Sequence, residues 1–165
     1  MQLKNRALAA LTVVIATLGA CATTGGVPAG TPIAQVRQAW PRPQVEHALP
    51  GGGTRLEFNQ GIRGKETWML DFDAQGLLVS STQVLTEANL WTIMPGMPVA
   101  ELRRQFGQPA DTFNLSRQRQ QVWNYRFADG DCVRFQVSIL EATQQVVEAS
   151  IGRDPACDGP NDRLR

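Results

Sequence analysis

The sequence predicts an α+β fold made of two tandem helix-strand-strand-strand repeats, forming an antiparallel sheet with short helices packed on one face. Three observations predict it. A segment of 14 residues recurs at a spacing of 66, apolar residues within each copy recur at i, i+3 and i+7, and the stretches that follow carry apolar residues at every second position.

The chain opens with Lys4 and Arg6, then an apolar run from Ala7 to Ala20 broken only by Thr12, Thr17 and Gly19. Positive charge followed by a hydrophobic stretch is the order of a secretory signal. With 14 residues the run falls short of a membrane span, which needs about 20. It ends in Leu18-Gly19-Ala20-Cys21, which resembles a bacterial lipobox. That resemblance implies removal of residues 1–20, lipid on Cys21 and, because Ala22 is not Asp, residence in the outer rather than the inner membrane. Several acyl chains on one Cys make a stable anchor, at about 0.8 kcal/mol per buried CH₂.

Removal of the leader changes the charge and cysteine arithmetic. The precursor has 165 residues, with Lys+Arg 16 against Asp+Glu 15; loss of residues 1–20 takes Lys4 and Arg6 with it, leaving 145 residues with 14 against 15. A near-neutral chain has no electrostatic footprint for nucleic acid, and none is expected as a partner. Of three Cys, one is the lipid carrier and Cys132 and Cys157 remain. In an oxidising compartment these two are expected to form a disulfide. They are 25 residues apart, a loop for which chain entropy gives roughly 3 to 4 kcal/mol. Two free thiols or a metal pair is the alternative, although no third or fourth ligand stands near.

Residues 21–29 are small and Gly/Thr/Pro-rich and form a tether. The first repeat, 30–85, begins with Gly30-Thr31-Pro32-Ile33-Ala34-Gln35-Val36-Arg37-Gln38-Ala39-Trp40-Pro41-Arg42-Pro43, and the second, 96–151, with Gly96-Met97-Pro98-Val99-Ala100-Glu101-Leu102-Arg103-Arg104-Gln105-Phe106-Gly107-Gln108-Pro109. Five of 14 positions are identical, and Ile33, Val36, Trp40 superpose on Val99, Leu102, Phe106. Each Pro suits the first helical position, each apolar triplet makes one stripe, and Pro41 with Pro43, or Gly107 with Pro109, ends the helix. Helices of barely three turns do not persist alone and must lie on a sheet.

Strands follow by alternation. In the first repeat they centre on Leu56 and Phe58, on Trp68, Leu70 and Phe72, and, after a turn at Asp73-Ala74-Gln75-Gly76, on Leu77 to Leu85. In the second they centre on Trp123, Tyr125 and Phe127, then, after Ala128-Asp129-Gly130-Asp131, on Val133 to Ile139, and lastly on Val147, Ala149 and Ile151. Hairpin geometry would then bring Cys132 and the tail, 152–165, to one end of the ladder.

The stretch Gly96-Met97-Pro98 through Leu102 and Phe106-Gly107-Gln108-Pro109, followed by Trp123-Asn124-Tyr125, resembles BamE, the small outer-membrane lipoprotein of the SmpA/OmlA family. The chain departs from that family in carrying two copies, and in placing Pro98 where a Thr or Ser cap is usual. Tandem copies resemble the architecture of β-lactamase inhibitory protein. The resemblance implies a periplasmic, lipid-anchored module of the outer membrane that works through protein contacts, with subunits of the β-barrel assembly machinery as expected partners. An inhibitor or ligand-binding module using a concave sheet is the other expectation.

Candidate chemistry is sparse. His47, the single histidine, falls in the loop between helix and strand beside Glu46, and no nucleophile motif accompanies it. The run Gly51-Gly52-Gly53-Thr54 lacks the Lys of a phosphate loop and precedes a strand. Asp71 and Asp73 read as turn chemistry. Neither catalysis nor a cofactor is expected. Two features point to binding. Arg103, Arg104, Arg117 and Arg119, with only Asp111 between them, form a basic excess that could meet anionic headgroups or simply be a solvated face. The connector 86–95 is apolar: Leu90, Trp91 and Ile93 are expected to plug the space between repeats, and an exposed Trp91, Met94 and Met97 would instead mark a partner surface.

Overall fold

A computed structural model of the protein describes residues 26–40, 42–61 and 64–158. The leader, Cys21, Pro41 and the tail beyond Asp158 lie outside the described residues.

The apolar stripe of the first repeat forms α1 (Ile33–Ala39), followed by four strands, β1 (Val45–Ala48), β2 (Thr54–Gln60), β3 (Glu66–Phe72) and β4 (Leu78–Gln83). A short helix, α2 (Glu87–Leu90), lies in the connector. The second repeat has α3 (Val99–Phe106), β5 (Asp111–Leu115), β6 (Gln120–Tyr125), β7 (Val133–Leu140) and β8 (Gln145–Arg153). The α+β class and the tandem repeat are as the sequence predicts.

Each repeat nevertheless has one strand more than alternation alone shows. Both additions, β1 and β5, are outer strands bonded to one neighbour, with no fully buried residue to betray them. His47 therefore lies on a strand, not in a loop. The strands form two four-stranded antiparallel meanders, β1-β2-β3-β4 and β5-β6-β7-β8, where one sheet was expected. The two are separated because α3 packs between them: Leu102 and Phe106 share a core with Met69, Val84 and Leu85 of the first repeat and with Tyr125, Phe135, Val137 and Ile139 of the second. The other face of the first sheet carries α1, and Val36 joins Leu56, Phe58, Leu70, Phe72 and Leu78 there. The order of layers is helix, sheet, helix, sheet.

The same three hydrogen bonds dock each helix to its sheet. In the first repeat Gly30 N–H donates to Leu78 O (2.7 Å), Leu78 N–H to Thr31 O (3.0 Å) and Ile33 N–H to Gly76 O (2.9 Å). In the second, Gly96 N–H donates to Val146 O (2.8 Å), Val146 N–H to Met97 O (2.9 Å) and Val99 N–H to Gln144 O (2.9 Å). Pro32 and Pro98 bridge to Leu77 and Gln145, so both are extended, with ψ of 140° and 143°, and cap the helices one residue before the position expected of them. The spacing between equivalent residues drifts from 66 at Gly30/Gly96 to 67 at Phe58/Tyr125 and 68 at Leu78/Val146. Direct comparison at a fixed 66 finds the helices and loses the strands.

Candidate functional site

The surfaces with chemistry lie where the repeats meet. Alternation puts Leu56 and Phe58 on the α1 face of β2, so Arg55 and Glu57 turn toward α3. Arg55 donates to both carboxylate oxygens of Asp71, at 2.6 and 2.7 Å, and its remaining nitrogen reaches Arg104 O at 3.0 Å across the repeat boundary. The hydrogen bond to Asp71 holds the Arg55 guanidinium above its ordinary value. Asp71 is thus a strand residue in an ion pair, whereas Asp73 keeps the turn role expected of it, accepting from Gln75 and Leu77 N–H at 3.0 and 2.9 Å.

Glu57 is fully buried. Its Oε1 accepts the N–H of Gln108 at 2.8 Å, and Oε2, which has no hydrogen bond, lies 3.6 Å from His47 Nε2. Its counterpart in the second repeat is Asn124, also fully buried, which donates to Asp111 at 2.5 Å and accepts from Gln136 at 3.0 Å. A polar residue at the same register position in both sheets interrupts an otherwise apolar strand centre.

Arg55 and Arg104 stand between two clefts. One, of about 390 Å³, is lined by Asp71, Ser80, Thr82, Asn89, Thr92 and Gln105, with Met69 and Phe106 at its base. The other, of about 330 Å³, is lined by His47, Leu49, Pro50, Ala100 and Arg103. A third, of about 590 Å³, adjoins Cys132 and Cys157, which are disulfide-bonded with Cα atoms 5.4 Å apart. There Lys65 of the first repeat donates to Gly130 O (2.7 Å) and pairs with Asp131 (3.2 Å), pinning the loop that carries Cys132. Arg126 binds Asp154 at 2.6 Å, and this hydrogen bond holds the Asp154 carboxyl below the usual carboxylate range. Among the described residues, no group of three or more His, Cys, Asp or Glu could hold a metal ion, and no helix is long and apolar enough to cross a membrane.

The four arginines singled out by sequence divide. Arg103 lies 5.8 Å from the centre of the Trp123 ring and Arg104 pairs with Glu101, both on α3. Arg117 and Arg119 are exposed on the β5–β6 turn. The connector divides as well. Leu90 and Ile93 are buried, while Trp91 is 50% and Met94 61% exposed, and Met97 is half-buried against the core. Trp91 packs edge-on against Phe135, ring centroids 5.0 Å apart, and its indole N–H donates to Glu87 at 3.2 Å. Arg55, Asp71 and Glu57 were missed as a site; their only sequence signal is their position between the apolar residues of β2 and β3.

No protein-family model matches the chain, and no curated protein does. Among solved structures it is similar to a cysteine-rich secretory protein from Staphylococcus aureus, at 12% identity and a TM-score of 0.32 over 81% of this chain and 48% of that one. The chain thus spans about half the length of that protein, and a likeness at this level carries no argument.

Proposed function

We propose that the protein is a lipid-anchored lipoprotein of the outer membrane, made of two BamE-like repeats, that acts without catalysis as a scaffold or assembly factor for outer-membrane β-barrel proteins. The observation that carries a contact-based role is the connector: Trp91 and Met94 are exposed while Leu90 and Ile93, beside them, are buried. An aromatic residue fixed at the junction of two repeats is suited to be an interface anchor, because little side-chain freedom is lost when a partner covers it. The disulfide agrees with an oxidising compartment such as the periplasm. Arg117 and Arg119, exposed and distant in sequence from the engaged Arg103 and Arg104, are the better candidates for lipid headgroups.

Two measurements test this reading. Mass spectrometry of the mature amino terminus should find lipid on Cys21; an unmodified Cys21 ends the anchoring idea. Affinity purification of the lipidated protein from membranes should recover β-barrel assembly subunits. Recovery of a soluble enzyme instead would favour a periplasmic inhibitor or ligand-binding module, a reading that the polar cleft beside Arg55 and Arg104 supports.

A further inference from the structure

We propose that the outer edge of β8 is a strand-acceptor site, where an extended segment of a partner polypeptide joins the second sheet as a fifth strand. The register decides which groups face that edge. Asp154 N–H donates to Cys132 O at 2.9 Å, so Asp154 faces β7 in line with the β7–β8 ladder. By antiparallel alternation Gly152, Ser150 and Glu148 do the same, and Ala149 and Ile151 turn their N–H and C=O groups away from β7. Beyond the bulge at Ser138/Ile139, Val146 also faces outward, and there the groups are used, by Gly96 and Met97. No described residue bonds the outward groups of Ala149 or Ile151.

In the first repeat a segment of chain lies against the equivalent edge, with its main-chain bonds at Leu78 and a side-chain bond at Ser81. Ser81 of β4 stands where Ala149 stands in β8, and residues 26–31 run along that edge. Gly30 and Thr31 bond Leu78, Val27 N–H donates to Ser81 Oγ at 3.3 Å, and the Val27 side chain packs on the first core. The segment turns at Ala29-Gly30, where Thr31 N–H bonds back to Pro28 O, and lays the Val27 side chain inward. In the second repeat the corresponding stretch makes no bond to Ala149: Thr92 and Ile93 N–H bond back to Asn89 and Leu90, at 3.0 and 3.1 Å, in the turn that follows α2, while the Ile93 side chain is buried in the second core.

Side chains frame these outward groups. Ile151 is paired across the ladder with Phe135, on which Trp91 packs, and Val147, Ile151 and Met94 are exposed. Outer strands are ordinarily protected by short length, charge, Pro or a bulge; β8 has nine residues without Lys or Pro, and its bulge and its charged residues Glu148 and Arg153 flank residues 149–151. A partner residue hydrogen-bonded to Ala149 or Ile151 places its side chain on the same face as theirs, beside Trp91. The site therefore takes an extended peptide with an apolar residue at every second position, its bonding amides belonging to the apolar residues.

The test uses the full chain in detergent micelles and the end-blocked peptide Thr-Val-Thr-Val-Thr-Val-Thr. Amide exchange at Ala149 and Ile151 is expected to slow by about tenfold or more when peptide is added. Peptide N-methylated on its Val amides should lose the effect, and peptide N-methylated on its Thr amides should keep it. Ile151→Pro removes an N–H that β7 does not use and should abolish the protection; Ala149→Lys serves the same purpose should the proline variant not fold. Unchanged exchange at millimolar peptide overturns the proposal, as does equal loss with both methylation patterns. So does a protein that sediments as a dimer with both amides already protected, which assigns the edge to a second copy. Because purified protein is used, the result does not depend on where the chain is anchored or which envelope partner it has.

Discussion

The buried carboxylate of Glu57 in the first repeat accepts a hydrogen bond from the backbone N–H of Gln108 in the second, at 2.8 Å. This contact ties the strand centre of one repeat to the residue just past the helix of the other. Gly107, beside it, has φ +75°, and a Cβ there would lie 2.6 Å from Glu57 Oε1. The junction thus needs a carboxylate on one side and a residue without a side chain on the other.

Glu57→Leu should destabilise the protein by about 1 to 3 kcal/mol, since it leaves the half-buried Gln108 N–H without its acceptor. Glu57→Gln retains a carbonyl acceptor and should lose less. Urea unfolding of the two variants beside the parent chain checks the order; equal losses would show that the hydrogen bond contributes nothing.

Gly107→Ala meets both a positive φ and the Glu57 carboxylate. A loss of about 1 kcal/mol or more is expected from the backbone conformation, before any overlap is counted. Combining it with Glu57→Ala, which clears the space, should recover part of the loss in a double-mutant cycle.

Reduction of Cys132–Cys157, or Cys157→Ser, should cost about 2 to 5 kcal/mol. The bridge closes 25 residues that include all of β7 and β8, and Cys132 sits at φ +54°, a conformation that its neighbours must enforce. Unfolding with and without reductant measures the difference, and thiol counting on the unreduced protein should find neither Cys free.

Asp154, buried and bonded to Arg126, titrates below the ordinary aspartate value of about 3.9. The unfolded state then binds more protons than the folded state between those two values, so the contribution is complete above the ordinary value and lost as pH falls through the depressed one. The urea midpoint should drop on acidification, and less steeply in Asp154→Asn. Parallel pH profiles for parent and variant would remove Asp154 as the cause.

Leu90→Ala should cost about 2 to 5 kcal/mol as a buried deletion, and Trp91→Ala about 0.5 to 1.5 kcal/mol for its contact with Phe135. If Trp91 anchors a partner, its variant should lose partner capture while remaining folded. A large stability loss at Trp91 would instead make it part of the core.

Much of this protein was legible from periodicity. The spacing of Ile33, Val36, Trp40 and of Val99, Leu102, Phe106 defined α1 and α3, and the alternation of Leu56/Phe58, Trp68/Leu70/Phe72 and Phe135/Val137/Ile139 defined their strands. The pairing of Cys132 with Cys157 followed from the count and the hairpin geometry. What escaped was short or polar: β1 and β5 bury no residue fully, and Glu57 and Asn124 look solvent-facing in a strand whose second face is assumed to be wet.

The sequence by itself determined the α+β class, the duplication and the apolar face of each element, because those depend on neighbours a few residues away. Only the tertiary structure decided that α3 lies between two separate sheets, that Glu57 and Arg55 meet the second repeat, and that Trp91 is exposed while Leu90 and Ile93 are buried. These depend on what covers the second face of a sheet, and that cover comes from residues about 50 positions away, a separation at which no local pattern of hydrophobicity carries information.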